Sequence, residues 1–123
     1  DYMKLVARAD IALDPFPFNG HTTTCDALWM GVPVVSLAGR AYASRYGSSA
    51  HRNVGLDAWI ADSVDQYVAT AVQAAGDLEA LATVRAELRP RMADSPILDF
   101  EGFTRRLEAA YLQMWQTWCA QQT

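Results

Sequence analysis

Residues 19–26, Asn-Gly-His-Thr-Thr-Thr-Cys-Asp, bring together a turn, several hydroxyl donors, an imidazole and a carboxylate. Glycine lets the backbone approach a ligand closely, and a helix that starts just after it presents unpaired N–H groups and a partial positive charge. That combination suits an anion, most commonly phosphate. Threonine hydroxyls and the ring of His21 add donors, and Asp26, about one turn into the helix, can accept hydrogen bonds from a ribose diol.

A purely structural interpretation fits the same residues. Thr23-x-x-Asp26 matches a capping box, in which the two side chains only close the helix N-terminus. An acid in the first helical turn is also favourable through the helix dipole alone. The pattern by itself therefore leaves open both a phosphate site and a simple cap.

The elements around this segment alternate between strand and helix. Residues 33–37, Pro-Val-Val-Ser-Leu, lack polar alternation, which is typical of a parallel strand covered on both faces. Ligands bind beyond the carboxyl ends of such strands, and residues 19–26 follow the first of them. The pattern predicts an α/β domain with strands at 11–13, 33–37 and 59–61 and helices at 2–9, 22–30, 43–53, 63–75, 77–92 and 99–119.

Size and composition limit the class of protein. The 123 residues, 51% apolar and 20% charged, are enough for one packed domain, and a net charge of −4 argues against nucleic-acid binding. No apolar run is long enough to span a membrane. The N-terminus resembles a cut within a helix, so we expect a piece of a longer chain. Cys25 and Cys119 are far apart and lack zinc-site spacing, which favours free thiols in a reducing cytoplasm.

Residues 10–35 closely resemble the C-terminal catalytic region of the O-linked N-acetylglucosamine transferase family. This is glycosyltransferase family 41, which includes SPINDLY-like proteins and bacterial homologues. The most specific part is Gly-His-Thr-Thr-x-x-Asp-x-Leu-Trp at residues 20–29. The resemblance covers nearly the whole chain, since it continues through Gly39, Ala43-Ser44-Arg45, Ser49, Val54-Gly55-Leu56, Ser95-Pro96 and residues 107–115.

The resemblance implies a GT-B fold, in which a sugar nucleotide lies between two Rossmann-like halves. Residues 1–123 would be a single domain, the last part of the C-terminal half, with a parallel sheet followed by helices. Gly20, His21, Thr22 and Thr23 would bind the diphosphate of UDP, and Asp26 would bind the ribose. Residues 24 and 25 vary in the family and are assigned no contact. The resemblance implies no metal and no cofactor beyond the UDP-sugar.

The resemblance also implies an activity for the longer protein, the inverting transfer of N-acetylglucosamine from UDP-GlcNAc to Ser or Thr of acceptor proteins. In the family, the leaving-group lysine, the uracil-binding loop, the acceptor groups and the tetratricopeptide repeats lie upstream. Lys4, the only lysine here, does not match that role, so we assign no certain catalytic residue and expect this chain alone to be inactive. Two alternatives stay open: a transferase using another UDP-sugar or an Asn acceptor, and a non-catalytic α/β interaction module.

The sequence supports further expectations for Arg45, for residues 51 and 52, and for the C-terminal helix. Arg45 either reaches the ligand cleft, where it would contact phosphate or acceptor, or forms a helix-surface or interdomain salt bridge. His51 and Arg52, where the sequence departs from the family, are interpreted as solvated. The C-terminal helix within residues 97–121 carries a wide apolar stripe. Core packing is the default explanation for that stripe. The GT-B resemblance instead implies that this helix crosses to the missing N-terminal half, which would expose the stripe here and favour self-association.

Overall fold

The computed structural model describes residues 1–121 as a three-stranded parallel sheet with helices packed around it. The strands lie in the order β1-β2-β3, as they do along the chain. The strands are β1 (Ala12–Leu13), β2 (Val34–Leu37) and β3 (Ile60–Ala61). The helices are α1 (Tyr2–Val6), α2 (Thr22–Trp29), α3 (Tyr46–Asn53), α4 (Val64–Gly76), α5 (Leu78–Ala93) and α6 (Phe100–Gln121), with short 3-10 turns at Tyr42–Ser44 and Asp57–Trp59.

The central strand β2 sets the register of the sheet. Val34 pairs with Ala12 on one side, and Ser36 pairs with Ile60 on the other. Val34, Val35 and Ser36 are buried, as predicted from their apolar run without polar alternation. The parallel α/β architecture expected from the sequence is confirmed, and the carboxyl ends of β1 and β2 lie at the same edge.

Sequence signals also placed most helix ends correctly. Gly31 and Gly55, at φ +74° and +69°, follow the last turns of α2 and α3. A side chain at Gly31 would lie 2.9 Å from the backbone oxygen of Arg85, so close packing against α5 also requires glycine there. Asp77 separates α4 from α5, and its carboxylate accepts a hydrogen bond of 3.0 Å from the amide of Ala80.

Some predicted elements are shorter or divided. The helix expected at 43–53 begins only at Tyr46, because the carbonyl oxygens of Ala43 and Ser44 accept from the amides of Asn19 and Gly39 instead of from a following turn. The first helix likewise ends at Val6 rather than at residue 9. Trp59 belongs to a 3-10 turn, so the third strand starts one residue later than predicted.

The solvated interpretation was correct for Arg52 and wrong for His51. The His51 side chain is fully buried, and its ring nitrogens hydrogen-bond to the carbonyl oxygens of Gly47 and Val34. This contact fastens α3 to the central strand. Sequence spacing could not reveal it, since Val34 is 17 residues away.

The apolar stripe of α6 is not packed in the core. None of the helix's residues is buried, and the side chains of Phe100, Phe103, Tyr111, Trp115 and Trp118 are 53–69% exposed. Core packing, the default explanation from the sequence, is therefore wrong for the described chain. The other expectation, that the stripe packs against the N-terminal half of a longer chain, stays a prediction.

We predict that Leu88→Ala lowers the free energy of unfolding by about 2–5 kcal/mol, because Leu88 is completely buried where α5 meets the core. The measurement is urea denaturation followed by circular dichroism. Leu78→Ala is the matched control on the same helix: its side chain is 72% exposed, so we expect a change within about 0.5 kcal/mol. Equal losses in the two variants would contradict this placement of the core.

Candidate functional site

The carboxylate of Asp14, directly after β1, connects the strand to the loop that precedes α2. Asp14 is 2% exposed. One carboxylate oxygen accepts a 2.7 Å hydrogen bond from the amide of Gly20, and the other accepts a 2.6 Å hydrogen bond from the hydroxyl of Ser36 on β2. These two bonds hold the loop against the carboxyl end of the sheet.

Helices α4 and α3 also contact Asp14. The hydroxyl of Tyr67 on α4 donates to the backbone oxygen of Asp14 at 2.9 Å, and burial, reinforced by the charge of Asp14, raises the pKa of Tyr67. Gly47 on α3 passes so close that an added Cβ would lie 2.5 Å from a carboxylate oxygen of Asp14 and would overlap the Ser36 hydroxyl. The position of α3 therefore depends on glycine at residue 47.

The turn at Asn19 and Gly20 is held by several bonds. Asn19 is fully buried, and its side-chain amide donates to the carbonyl oxygen of Pro15 at 3.2 Å. A Cβ at Gly20 would lie 2.5 Å and 2.8 Å from the hydroxyl oxygens of Thr23 and Thr24, so only glycine allows this approach to the helix start. The hydroxyl of Thr24 donates to the carbonyl oxygen of Gly20 at 2.9 Å.

Helix α2 begins at Thr22, and the side chain of the capping residue, His21, makes no capping hydrogen bond. Thr23 lies inside the helix, so the capping-box alternative for Thr23 and Asp26 is wrong. Thr22 and Thr23 are exposed. The end of the helix thus presents its partial positive charge and two hydroxyls to solvent, an arrangement suited to an anion.

The predicted site residues Gly20, His21, Thr22 and Thr23 lie together at this helix end, and Asp26 lies farther along the same helix. Asp26 is partly buried and close to α1. Desolvation raises the pKa of Tyr2, and the charge and hydrogen bond of Asp26 raise it further.

The ring of His21 lies among aromatic side chains. Its centroid is 4.2 Å from that of Tyr46, 5.9 Å from Tyr42 and 5.7 Å from Phe18. These contacts hold the imidazole beside the helix end. Sequence reasoning missed both this cluster and the role of Asp14. An acid immediately after a buried strand was the available signal for Asp14, whereas the tyrosines are too distant in sequence to give one.

Tyr46 also contacts Cys25, with 3.5 Å between the hydroxyl oxygen and Sγ. This hydrogen bond, followed by burial and by the charges of Cys25 and Tyr42, raises the pKa of Tyr46 to about 12. Cys25 and Cys119 are both free thiols.

Arg45 lies at the edge of an open cavity of about 780 Å³ that also contains Tyr42 and Tyr46. It forms no ion pair within residues 1–121, so a helix-surface salt bridge is absent there, and the interdomain salt bridge stays a prediction. In the same residues, no cluster of three or more His, Cys, Asp or Glu side chains could hold a metal ion. No helix among them is long and apolar enough to cross a membrane.

Comparison with known proteins identifies the family. The sequence model of the family described as glycosyl transferase family 41 matches residues 2–107. The chain belongs to glycosyl transferase family 41. A structure of a Thermobaculum terrenum O-GlcNAc transferase mutant, K341M, matches with a TM-score of 0.91 and 37% identity, over 100% of this chain and 24% of that one. The fold is therefore the one expected, part of the C-terminal Rossmann-like half of a GT-B family 41 protein.

Similarity to plant proteins supports the same family assignment. The chain is 46% identical over 119 residues to a rice (Oryza sativa subsp. japonica) protein, the probable UDP-N-acetylglucosamine–peptide N-acetylglucosaminyltransferase SPINDLY. It is 32% identical over 123 residues to the Arabidopsis thaliana protein named SEC, a probable enzyme of the same description. These matches cover 97% and 99% of this chain. The chain spans only about 13% of the length of each plant relative.

We predict that Cys25→Ala lowers the pKa of Tyr46 toward 10, because the hydrogen bond to Cys25 is the largest cause of the increase. The measurement is ¹³C NMR of Cζ-labelled tyrosine. At pH 11 about one tenth of Tyr46 should be ionised in the wild type and most of it in the variant. The pKa of Tyr46 is higher in the folded chain than in the unfolded chain, so this residue contributes to the free energy of unfolding. That contribution is complete below pH 10 and disappears as pH rises toward 12.

Cys25→Ser is the matched control, since serine keeps a hydrogen-bonding group at the same position. We expect Tyr46 to retain a raised pKa in that variant. An unchanged Tyr46 titration in Cys25→Ala would contradict the assignment.

Proposed function

We propose that this chain is the UDP-binding portion of an inverting protein O-GlcNAc transferase. The longer enzyme would transfer N-acetylglucosamine from UDP-GlcNAc to Ser or Thr hydroxyls of acceptor proteins. The observation that carries the proposal is the set of exposed donors at the start of α2, held in place by the bonds from Asp14 to Gly20 and Ser36. The names of the plant relatives and of the bacterial structure support the choice of donor and acceptor.

Each site residue has a defined role in this proposal. The amide of Gly20 is already bound to Asp14, so Gly20 acts by letting the backbone approach the diphosphate. His21, Thr22 and Thr23 donate to the diphosphate oxygens, and the helix dipole stabilises the negative charge that grows on departing UDP. Asp26 accepts from the ribose hydroxyls. The scheme uses these donors in place of a metal ion and needs no further cofactor.

The catalytic groups are proposed to lie outside this chain. The one lysine in the sequence, Lys4, lies on the N-terminal helix and pairs with Asp1 at 3.9 Å. We therefore propose that this chain binds UDP but does not transfer the sugar. The groups that position the acceptor hydroxyl and the tetratricopeptide repeats would belong to the rest of the longer protein. The free thiols Cys25 and Cys119 favour a cytoplasmic location.

The exposed stripe on α6 supports a second part of the proposal, which concerns where this helix packs. Toward the end of the helix, the exposed aromatic side chains of Tyr111, Trp115 and Trp118 form an apolar patch that monomeric proteins seldom leave uncovered. We propose that the helix within residues 97–121 crosses to the N-terminal half of the longer enzyme. In its absence the patch would promote association between copies of this chain.

We predict that UDP binds the ¹⁵N-labelled chain weakly, with a Kd of roughly 0.1 to several mM, because part of the nucleotide cleft lies outside it. The measurement is an amide-shift titration by NMR, with saturable changes centred on residues 20–26. Asp26→Ala should abolish the shifts while the spectrum stays dispersed. Asp65→Ala, at the exposed start of α4, removes the same charge away from the site and should leave binding unchanged.

A dispersed spectrum that does not respond to UDP, together with tight self-association in sedimentation experiments, would contradict this proposal. That result would favour the alternative of a non-catalytic α/β interaction module acting through α6. Use of another UDP-sugar or an Asn acceptor is distinguished in the longer enzyme, by comparing transfer from different UDP-sugars to Ser, Thr and Asn peptides.

A further inference from the structure

A basic cavity lies next to the proposed diphosphate site. Its volume of about 780 Å³ is within the usual range for ligand-binding clefts. We define it by the seven residues that line it: Arg40, Tyr42, Arg45, Tyr46, Ser49, Arg52 and Asn53. Three of these carry a guanidinium group and none carries a carboxylate. The cavity is therefore positively charged, although the chain as a whole has a net charge of −4.

Two of the three arginines of this basic cavity lack the partners that most other basic residues have. Within residues 1–121, every basic residue except Arg8, Arg40 and Arg45 contacts an acid, a carbonyl oxygen or an aromatic ring. Two of those three exceptions line the cavity. Arg52 has only Asp57 at 3.9 Å, and both of these side chains are mostly exposed. The cavity thus concentrates positive charge that the described chain does not neutralise.

The diphosphate is not the best occupant of the basic cavity. It already has donors at the start of α2. The ring of His21 lies against the rings of Tyr42 and Tyr46, and those two residues line the cavity, so the cavity borders the proposed diphosphate site. Asp26, the proposed ribose residue, instead lies beside Tyr2 of α1. The acceptor hydroxyl must reach the anomeric carbon, which is bonded to the diphosphate, so a polypeptide bound in this cavity would lie close to the reacting bond.

A second, apolar cavity continues from the first. Its volume is about 380 Å³, and it shares Tyr46, Ser49 and Asn53 with the basic cavity. Its other lining residues are Ala50, Pro96, Ile97, Phe100 and Phe103. A surface that is basic at one end and apolar at the other suits a polypeptide better than a small anion.

We propose that the basic cavity binds an acidic segment of the acceptor polypeptide, with a bulky apolar residue of that segment in the neighbouring cavity. Carboxylates of Asp or Glu would pair with Arg40 and Arg45, since the guanidinium group matches a carboxylate in two parallel hydrogen bonds. The proposal rests on the proposed function, because it takes the surface that borders the diphosphate site as the acceptor side. It assigns these arginines to acceptor choice rather than to the chemical step.

The test is an NMR titration of the ¹⁵N-labelled chain with two synthetic peptides, Ala-Ser-Ala-Glu-Glu-Glu-Leu-Phe-Ala and the same peptide with Gln in place of each Glu. We expect the Glu peptide to shift the amides of residues 40–53 and the Gln peptide to bind about tenfold more weakly. The double variant Arg40→Gln/Arg45→Gln should lose about tenfold in affinity for the Glu peptide and bind both peptides alike. Arg8→Gln, which removes an unpaired exposed arginine outside the cavity, is the matched control and should change nothing.

Three results would overturn the proposal: equal binding of the two peptides by the wild type, unchanged affinity in the double variant, or displacement of the Glu peptide by inorganic phosphate at equal concentration. UDP is titrated separately. Normal UDP shifts at residues 20–26 with no preference for the Glu peptide would contradict only this inference. Failure of UDP with the Glu preference intact would contradict the nucleotide function and, with it, the acceptor role of the basic cavity.

Discussion

The buried carboxylate of Asp14 is the constraint on which the arrangement of the candidate site depends. A buried charge without partners is strongly unfavourable, so the amide of Gly20 and the hydroxyl of Ser36 must both reach it. Meeting that requirement fixes the loop before α2 relative to β2. It also places Gly47 of α3 against the same carboxylate. One ionised group thus contacts a strand, a loop and a helix and holds them together. The start of α2 stays open to solvent.

Charge is distributed unevenly around the buried carboxylate of Asp14. The acid that organises the loop is inside the protein, while the exposed groups at the start of α2 and in the basic cavity are hydroxyls, an imidazole and guanidinium groups. An anionic ligand therefore meets donors and positive charge even though the chain has a net charge of −4. The aromatic contacts of His21 with Tyr42 and Tyr46 connect the start of α2 to the basic cavity.

Local sequence signals predicted much of this structure because they report on neighbouring residues. The run Val34-Val35-Ser36 predicted a covered strand, Gly31 predicted a helix end, and the residues following Gly20 predicted a helix start, which lies at Thr22. The errors involve contacts that are distant in sequence. His51 is buried by a bond to Val34, and the stripe of α6 has the periodicity of a core helix whether its partner lies within this chain or outside it. Asp14 was recognised only as a strand end, since its partners Gly20 and Ser36 become apparent only in the folded chain.

The most direct test of the account is the affinity of Asp14→Asn and Ser36→Ala for UDP, measured by NMR with Asp65→Asn as a control for the change in charge. Loss of the Asp14 carboxylate should weaken binding by about tenfold or more while the spectrum stays dispersed, because the loop loses its charge-assisted hydrogen bonds. Ser36→Ala removes one of those bonds and should have a smaller effect in the same direction, which keeps the test valid if Asp14→Asn does not fold. Folded variants that bind UDP as tightly as the wild type would contradict the claim that Asp14 organises the site.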